Sequence, residues 1–566
     1  MSTQSNDLGT SDIAAVQSPL ATPIDTPVPV VELPLRARAR AYLLGPEPGE
    51  EVTPYSPVPG ADRPTFSARY GRFILSACTG FIGALLIAAS APDWYLAAPS
   101  WRLTVPGIPH PGTSSQALAN FLVGLVLLGL GWIGLIGRAE RAPITPKSRL
   151  IAVVVIGALW CIPVLLAPPL LSHDSFSYAS QGEMASRGLD PTSQGPYSLK
   201  RGQWVREVDP IWRDAPAPYG PVAVEAGKVV VELTGHDPAA AIWGFRVLAM
   251  LGVILSAIGV AAIAKSCRQP AAVAVAVGIA SPLVLLHLIG GSHNDALMMG
   301  LLTVGVALFL RQRKYVGIAL VILATGAKVP AAAGLVFLAW NWTDDPATSF
   351  WQRVRATALV SGVTVVALSA LSLLVGISVG WIAALKSTGS VYSTFSVSTK
   401  LGFLSANVLQ AVGLSVDSSV TVAAFRLLGI ALAGVLCLAL LLASPRIGIA
   451  RALGLSMIAV VLLSPVVWPW YLAAGFALVA ANGMGRWRPS YVVLIVASSA
   501  VVFPTSISPV RSLNAYQHVL TMVVVGIIVG ACWIAQWLAA QLTASREFAP
   551  DGADPIAVGS VEPVAI

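Results

Sequence analysis

Charge is what this 566-residue chain has least of: Asp, Glu, Lys and Arg together make up 11% of it, against about 25% in a soluble globular domain. That scarcity excludes an ordinary soluble protein. Hydrophobic residues account for 55%, and from Arg72 onwards apolar runs recur, each about 18 to 25 residues and long enough to cross a hydrocarbon core of roughly 30 Å as a helix. Alternating strands are lacking too. The stretch 117–137 is apolar on every face and far longer than the roughly ten-residue strand of an outer-membrane barrel.

Other absences narrow the chemistry. The five cysteines (Cys78, Cys161, Cys267, Cys437, Cys532) lie in or beside apolar segments without the paired spacing of a zinc site. No P-loop, H-E-x-x-H pair or D-x-D pair occurs, so ATP-driven transport and metal-held nucleotide-sugar chemistry lack their usual residues. The formal charge of +8 comes from basic residues in short clusters between apolar segments. There they set topology and do not point to a nucleic-acid partner. No metal and no cofactor is expected.

What is there reads as an all-α polytopic membrane protein of about 12 to 14 transmembrane helices. Residues 1–65 are rich in Pro, Ser, Thr and acidic residues, lack the apolar region of a signal peptide, and read as a disordered cytoplasmic tail. Residues 543–566 read as a second tail. The membrane domain, 66–542, holds spans near 72–91, 117–137, 149–169, 240–264, 270–289, 294–310, 355–379, 420–443, 447–464, 468–482, 489–504 and 517–540.

Arg/Lys clusters at 138–149, 265–268, 311–314, 353–355, 446–451 and 486–488 belong on the cytoplasmic side under the positive-inside rule. A single helix over 315–340 would put Arg353 and Arg355 on the wrong side, so two short passes are expected there. The interruption Gly326-Ala327-Lys328-Val329-Pro330 supplies the break, since Pro330 cannot continue the hydrogen-bond ladder. Both termini are then cytoplasmic, and the outer loops are 92–116, 171–239, 290–293, 380–419, 465–467 and 505–516, with Lys328 near the outer face. No internal repeat of the kind common in transporters is evident.

Setting the tails aside, nine of the remaining fifteen carboxylates lie in the one outer loop 171–239, far longer than the two to eight residues usual between bundled helices. It opens with Ser172-His173-Asp174-Ser175-Phe176-Ser177-Tyr178 straight after an apolar span, so Asp174 lies at the membrane boundary. A carboxylate there is a candidate general base toward a hydroxyl of a lipid-linked substrate; the alternative is a solvated helix-boundary Asp. Asp174, Tyr178 and the pair Gln181-Gly182 share a helical face, with Glu183 on an adjacent one. His173, Tyr178, Glu183 and Tyr219 are candidate substrate contacts. Phe176 and Tyr178 suit stacking on a sugar ring or an interfacial aromatic belt. Tyr197 and Tyr219, each following a proline, read as parts of a shaped loop.

On the same outer side His293-Asn294-Asp295 opens the sixth span. Asn294 or Ser292 would cap that helix, or the three residues serve the site. Asp295 is the one carboxylate within any expected span, and buried ionisable residues in membranes mark function because burying them is costly. Lys328 and Arg511 are outer-side cations that topology does not explain, suited to a phosphate as point charge and bidentate fork respectively; Lys328 pairing with Asp295 is the bland alternative. Trp468-Pro469-Trp470-Tyr471 marks an outer boundary, as a belt or as substrate contacts through Trp468 and Tyr471. His110, His236, His287 and His518 are isolated and read as structural or solvated.

The ordered set Asp174-x-x-x-Tyr178-x-x-x-Gly182, Gly188-Leu189-Asp190-Pro191, Pro218-Tyr219-Gly220-Pro221, His293-Asn294-Asp295-Ala296, Gly326-Ala327-Lys328 and Trp468-Pro469-Trp470-Tyr471 resembles the type C integral-membrane glycosyltransferases. More narrowly, over roughly 70–540, it is similar to the actinobacterial polyprenol-phosphomannose-dependent α-1,6-mannosyltransferases of lipomannan and lipoarabinomannan biosynthesis. The resemblance implies that Asp174 is the required loop carboxylate. It also implies a polyprenyl-phosphate mannose donor used at the outer face of the cytoplasmic membrane, and a mannosylated phosphatidylinositol-type glycolipid acceptor among membrane lipids. Relatives often have Asn-Pro-Tyr where this chain has Asp190-Pro191-Thr192, so no role is carried over to Asp190. The implied mechanism is one inversion, with Asp174 as base and with Lys328, Arg511 and His293 stabilising the departing phosphate. A sugar-lipid transporter or flippase, a non-catalytic scaffold, and a transferase using another polyprenyl-phosphate sugar such as arabinose stand as alternatives.

Overall fold

The computed structural model of the protein describes residues 66–90, 114–200, 202–343, 345, 347–389 and 395–500. The expected tails, the span 517–540, the last outer loop and Arg511 lie outside the described residues.

Two long apolar helices, α1 (Phe66–Ala89) and α2 (Ser114–Arg141), come first. Proline then marks several helix starts, since a residue without an N–H costs nothing in a first turn. Helix α3 (Pro146–Leu166) begins behind Thr145, whose side chain accepts from the Ser148 backbone N–H. The long loop after it is helical: α4 (Asp174–Ser186), the single turn α5 (Gln203–Arg206) and α6 (Pro221–Leu233). Helix α7 (Pro238–Ser266) follows with Asp237 as its cap, then the short α8 (Ala271–Gly278), a π-helical stretch Val284–Gly290 and α9 (Asp295–Leu310).

Helix α10 (Lys314–Ala327) stops at Lys328, and after a 3₁₀ turn α11 (Ala332–Trp340) resumes, so the break lies where the Gly-Ala-Lys-Val-Pro run places it. Helix α12 (Phe350–Val375) opens with a Ser349/Gln352 capping box and ends at Gly376, φ +76°. Then come α13 (Gly380–Gly389), α14 (Val397–Ala411), α15 (Ser418–Ile447), α16 (Ile449–Leu463), α17 (Ala473–Asn482) and α18 (Arg488–Ala500). Among the described residues no strand occurs.

Among the described residues six helices are long and apolar enough to cross a membrane: α1, α2, α3, α7, α12 and α15. A seventh span results if Val284–Gly290 and α9, bent by 115°, are counted as one. The sequence reading differs from this chiefly where runs of high hydropathy are broken. The stretch read as one span over 270–289 is α8 plus a π-helical segment, and the loop 380–419 contains α13 and α14. Hydropathy registers apolar content and does not register where backbone geometry changes.

The main core is aliphatic and runs through α1, α2, α3, α7 to α11, and α16 to α18. Two buried tryptophans tie its layers without stranding their polar ends: Trp132 Nε1 donates to Ala276 O at 2.7 Å and Trp160 Nε1 to Ala77 O at 3.0 Å. The loop 171–239 has a second, smaller core in which Phe176, Tyr178, Trp204, Val231 and Phe245 pack together. It is a folded cap with its own hydrophobic centre.

Candidate active site

Helix α4 begins at Asp174, whose backbone N–H donates to Ser172 Oγ at 3.1 Å. Its preceding residue, His173, is pinned by an Nδ1 contact with Glu207 O at 2.9 Å. A carboxylate in a first turn is favoured by the partial positive charge of the unpaired N–H groups there. One face of α4 carries Asp174, Tyr178 and Gly182 at four-residue intervals. A Cβ at Gly182 would come within 2.4 Å of Gly227 O on α6, so only glycine lets the two helices approach this closely. That contact fixes the rotation of α4 and aims Asp174 and Tyr178 at His293.

The approach from the other side is a tight turn. After the π-helical stretch the chain passes Gly290-Gly291-Ser292, with Ser292 in the left-handed region at φ +53°, a conformation uncommon for a residue with a Cβ. The turn delivers His293, fully buried, so that its Nδ1 lies 3.4 Å from Asp174 Oδ2. Tyr178 OH donates to the same oxygen at 3.4 Å and lies 3.5 Å from His293 Nδ1. The Asp174 side chain keeps 21% exposure, so one side of the carboxylate remains open. Burial pushes that carboxyl up, but the hydrogen bond and charge of His293, the Lys328 charge and the Ser172 hydroxyl outweigh it and hold Asp174 below the ordinary carboxylate value. Burial, followed by Tyr219 and the Asp174 charge, lifts the Tyr178 phenol well above its ordinary value. Burial and then the Asp174 charge do the same to Tyr219. Both hydroxyls keep their protons.

One residue beyond His293 and Asn294, Asp295 opens α9, and its Oδ2 accepts from Lys328 Nζ at 2.5 Å. The ammonium is caged. It lies 4.4 Å from the ring centroid of Tyr471 and 5.9 Å from that of Tyr219, and Tyr219 meets Tyr178 edge-on at 5.4 Å. The motifs Pro218-Tyr219-Gly220-Pro221 and Gly326-Ala327-Lys328 meet backbone to backbone, since a Cβ on Gly220 would lie 2.5 Å from Gly326 O. This approach is what brings Tyr219 over Lys328.

The structure therefore brings together Asp174, Tyr178, Tyr219, His293, Asp295, Lys328 and Tyr471 from five separate segments. Two carboxylates face one lysine, and Asp295 takes that lysine, the pairing weighed as the bland alternative. Asn294 makes no side-chain cap to α9, and its Oδ1 is buried without a hydrogen-bond partner. Glu183 is elsewhere: its buried carboxylate holds Arg187 at 2.6 Å and His236 Nδ1 at 2.7 Å within the cap. Asp190 accepts from Thr192 and from the Ser378 backbone N–H at 3.0 Å, which ties the cap to the segment after α12.

Sequence reasoning passed over Trp470. Its ring stacks on His293 at 4.0 Å and 20° and on Trp468 at 5.0 Å and 8°, and the residue is 5% exposed. Trp470 is thus the wall behind His293 and not a belt residue. The signal was the Trp468-Pro469-Trp470-Tyr471 motif itself, of which only the outer two aromatics were singled out.

Comparison with known proteins gives a consistent set. The family model described as "Alpha-(1->6)-mannopyranosyltransferase, N-terminal domain" matches residues 77–344, and that of the "MptB C-terminal domain" matches residues 398–537. The chain is 31% identical over 428 residues to alpha-(1->6)-mannopyranosyltransferase A of Mycobacterium tuberculosis, covering 72% of this chain and 80% of that protein. It is 29% identical over 438 residues to alpha-(1->6)-mannopyranosyltransferase B of Corynebacterium glutamicum, covering 71% and 72%. To alpha-(1->6)-mannopyranosyltransferase A of Corynebacterium glutamicum it is 26% identical over 455 residues, covering 74% and 89%. No solved structure matches the chain.

Proposed function

The chain belongs to the alpha-(1->6)-mannopyranosyltransferase family, and from that premise we propose that it moves mannose from polyprenyl-phosphate mannose to a hydroxyl of a mannosylated phosphatidylinositol-type glycolipid. The reaction inverts the anomeric centre and takes place at the outer face of the cytoplasmic membrane, with both termini inside. The observation that carries this reading is Asp174: a carboxylate kept anionic, open on one side, and held by His293 and Tyr178 next to a caged lysine.

In the proposed step the acceptor 6-hydroxyl oxygen attacks the mannose anomeric carbon from the face opposite the phosphate. The new carbon–oxygen bond forms as the bond to the phosphate oxygen breaks, the electron pair leaves with the polyprenyl phosphate, and the hydroxyl proton passes to Asp174. A β-linked donor then gives an α product. Lys328 stabilises charge on the departing phosphate, assisted by Arg511. We assign to His293 the orientation of the Asp174 carboxylate, since its Nδ1 faces that group, and to Tyr178, Tyr219, Trp468 and Tyr471 contacts with the sugars.

The test is incubation of the reconstituted protein with radiolabelled polyprenyl-phosphate mannose and a short α-1,6-mannoside acceptor, in parallel with Asp174→Asn. Label in lengthened acceptor for the wild type alone is the expected result. Donor flux across the bilayer without any new glycosidic bond would instead establish a carrier.

A further inference from the structure

A well-formed cavity lies beside the site and does not include Asp174. A groove of about 580 Å³ runs between α6, α7 and α12, within the roughly 300 to 1,000 Å³ range of small-molecule sites. Its walls are apolar: Val222, Ala226 and Val230 from α6, Val247 and Leu251 from α7, and Leu371 from α12. Of its two polar side chains, Thr234 spends its hydroxyl on Val230 O at 2.8 Å, which leaves Glu225. Helices α7 and α12 are membrane-crossing by length and composition, and Val247 and Leu233 on the rim are 60% and 82% exposed. With α7 and α12 crossing the bilayer, the open side of the groove along them would face hydrocarbon.

The end of the groove at Pro221 adjoins the site. The lining starts at Pro221 and Val222, directly after Tyr219-Gly220 and against Gly326, and Tyr219 lies over the Lys328 ammonium. An apolar wall thus begins beside a caged cation and runs on along α6 from Pro221 to Leu233, about 18 Å at 1.5 Å per residue. A polyprenyl phosphate has this same order of parts, an anion joined directly to a linear branched hydrocarbon. In a glycolipid acceptor, sugars separate the reactive hydroxyl from the lipid tail, so its tail has no need of a wall starting at the lysine.

Resting on the function proposed above, we infer that the groove between α6, α7 and α12 seats the first isoprene units of the donor. Apolar contact in a bilayer gains little over lipid, so the groove acts by orientation: it fixes the direction in which the phosphate enters the Lys328 cage and hence which face of the mannose meets Asp174.

The experiment compares a long polyprenyl-phosphate mannose with methyl-phosphate mannose, which carries no isoprene unit, as donors for the full-length protein in nanodiscs, in the wild type, Val247→Trp and Ala226→Trp. Leu428→Trp, at a 61% exposed position on α15, is the control. Filling the groove lowers the ratio of long-donor to short-donor kcat/KM by about tenfold, while the control keeps the wild-type ratio. Equal effects on both donors overturn the inference. A loss that follows the presence of a lipid tail on the acceptor overturns it as well, by giving the groove to the acceptor. If the wild type transfers mannose from neither donor, the function reading fails separately, and a photoreactive long-chain polyprenyl phosphate then decides the groove. Labelling of α6 and α7 that Val247→Trp abolishes supports it, and labelling spread over the bilayer-facing surface overturns it.

Discussion

The helices of the main core and the long helices α12 and α15 are built from similar residues but packed differently. Half of the α2 span and 44% of the α7 span are buried within the protein, against 17% for α12 and 22% for α15. Leu373, Leu374, Val366 and Leu427 stand out from α12 and α15, whereas α7 to α11 enclose His287, His293, Asp295 and Lys328. In a bilayer an exposed leucine costs nothing, so apolar content alone does not hold helices together. What distinguishes the inner group is the buried ionisable cluster of His293, Asp295 and Lys328, which must be satisfied; close approach at glycines occurs in both, as at Gly429 of α15 against Leu463 O. Substitutions should therefore matter in the inner group and be tolerated in the outer one.

The comparison breaks most sharply at Asp174. Replacement by Asn removes the base and leaves the shape, so transfer should fall by about 10² to 10⁴ while the thermal transition in detergent stays near that of the wild type; activity within a few-fold of wild type would remove Asp174 from the proposed role. The ion pair comes next. Lys328→Ala leaves Asp295 buried and unpaired, a loss of about 3 to 5 kcal/mol that should appear as a lowered unfolding temperature. Lys328→Ala combined with Asp295→Ala should regain most of that stability without regaining transfer, and separate additive losses would deny the coupling.

Gly220→Ala should cost about 1 to 3 kcal/mol by forcing its methyl onto the Gly326 carbonyl, and it should raise the apparent KM for donor by moving Tyr219. An unchanged KM would uncouple that contact from the site. The pH profile sharpens the site further. Because Asp174 lies below the ordinary carboxylate value, it stays anionic as pH falls through about 4, so the acid limb of kcat/KM should lie below that pH. A limb at higher pH would assign it to another group. The smallest effect belongs to the outer helices: Leu428→Ala should shift stability by no more than about 0.5 kcal/mol.

Some of this was legible beforehand for local reasons. Asp174 and Tyr178 stand four apart, so one turn of helix places their side groups on one face, and the structure joins them. The break at Lys328 followed from Pro330. That the long loop folds as a unit was signalled by its length and its carboxylates, one of which, Glu183, proved to hold the cap together through Arg187 and His236. Trp470 went unnoticed because a tryptophan at an expected membrane boundary has an ordinary explanation, and nothing local marks it as buried against His293.

The sequence by itself determined the class, an all-α membrane protein, because hydropathy over twenty residues is a property of the segment alone. It also determined the ordered motifs by which the family is known. Only the tertiary structure decided that His293 meets Asp174 and that Asp295 takes Lys328. The same holds for Tyr219 and Tyr471 closing on that lysine from distant segments. Those partners are chosen by helix rotation and by backbone contact at Gly182 and Gly220, and such contacts depend on shape between helices, which no local period encodes.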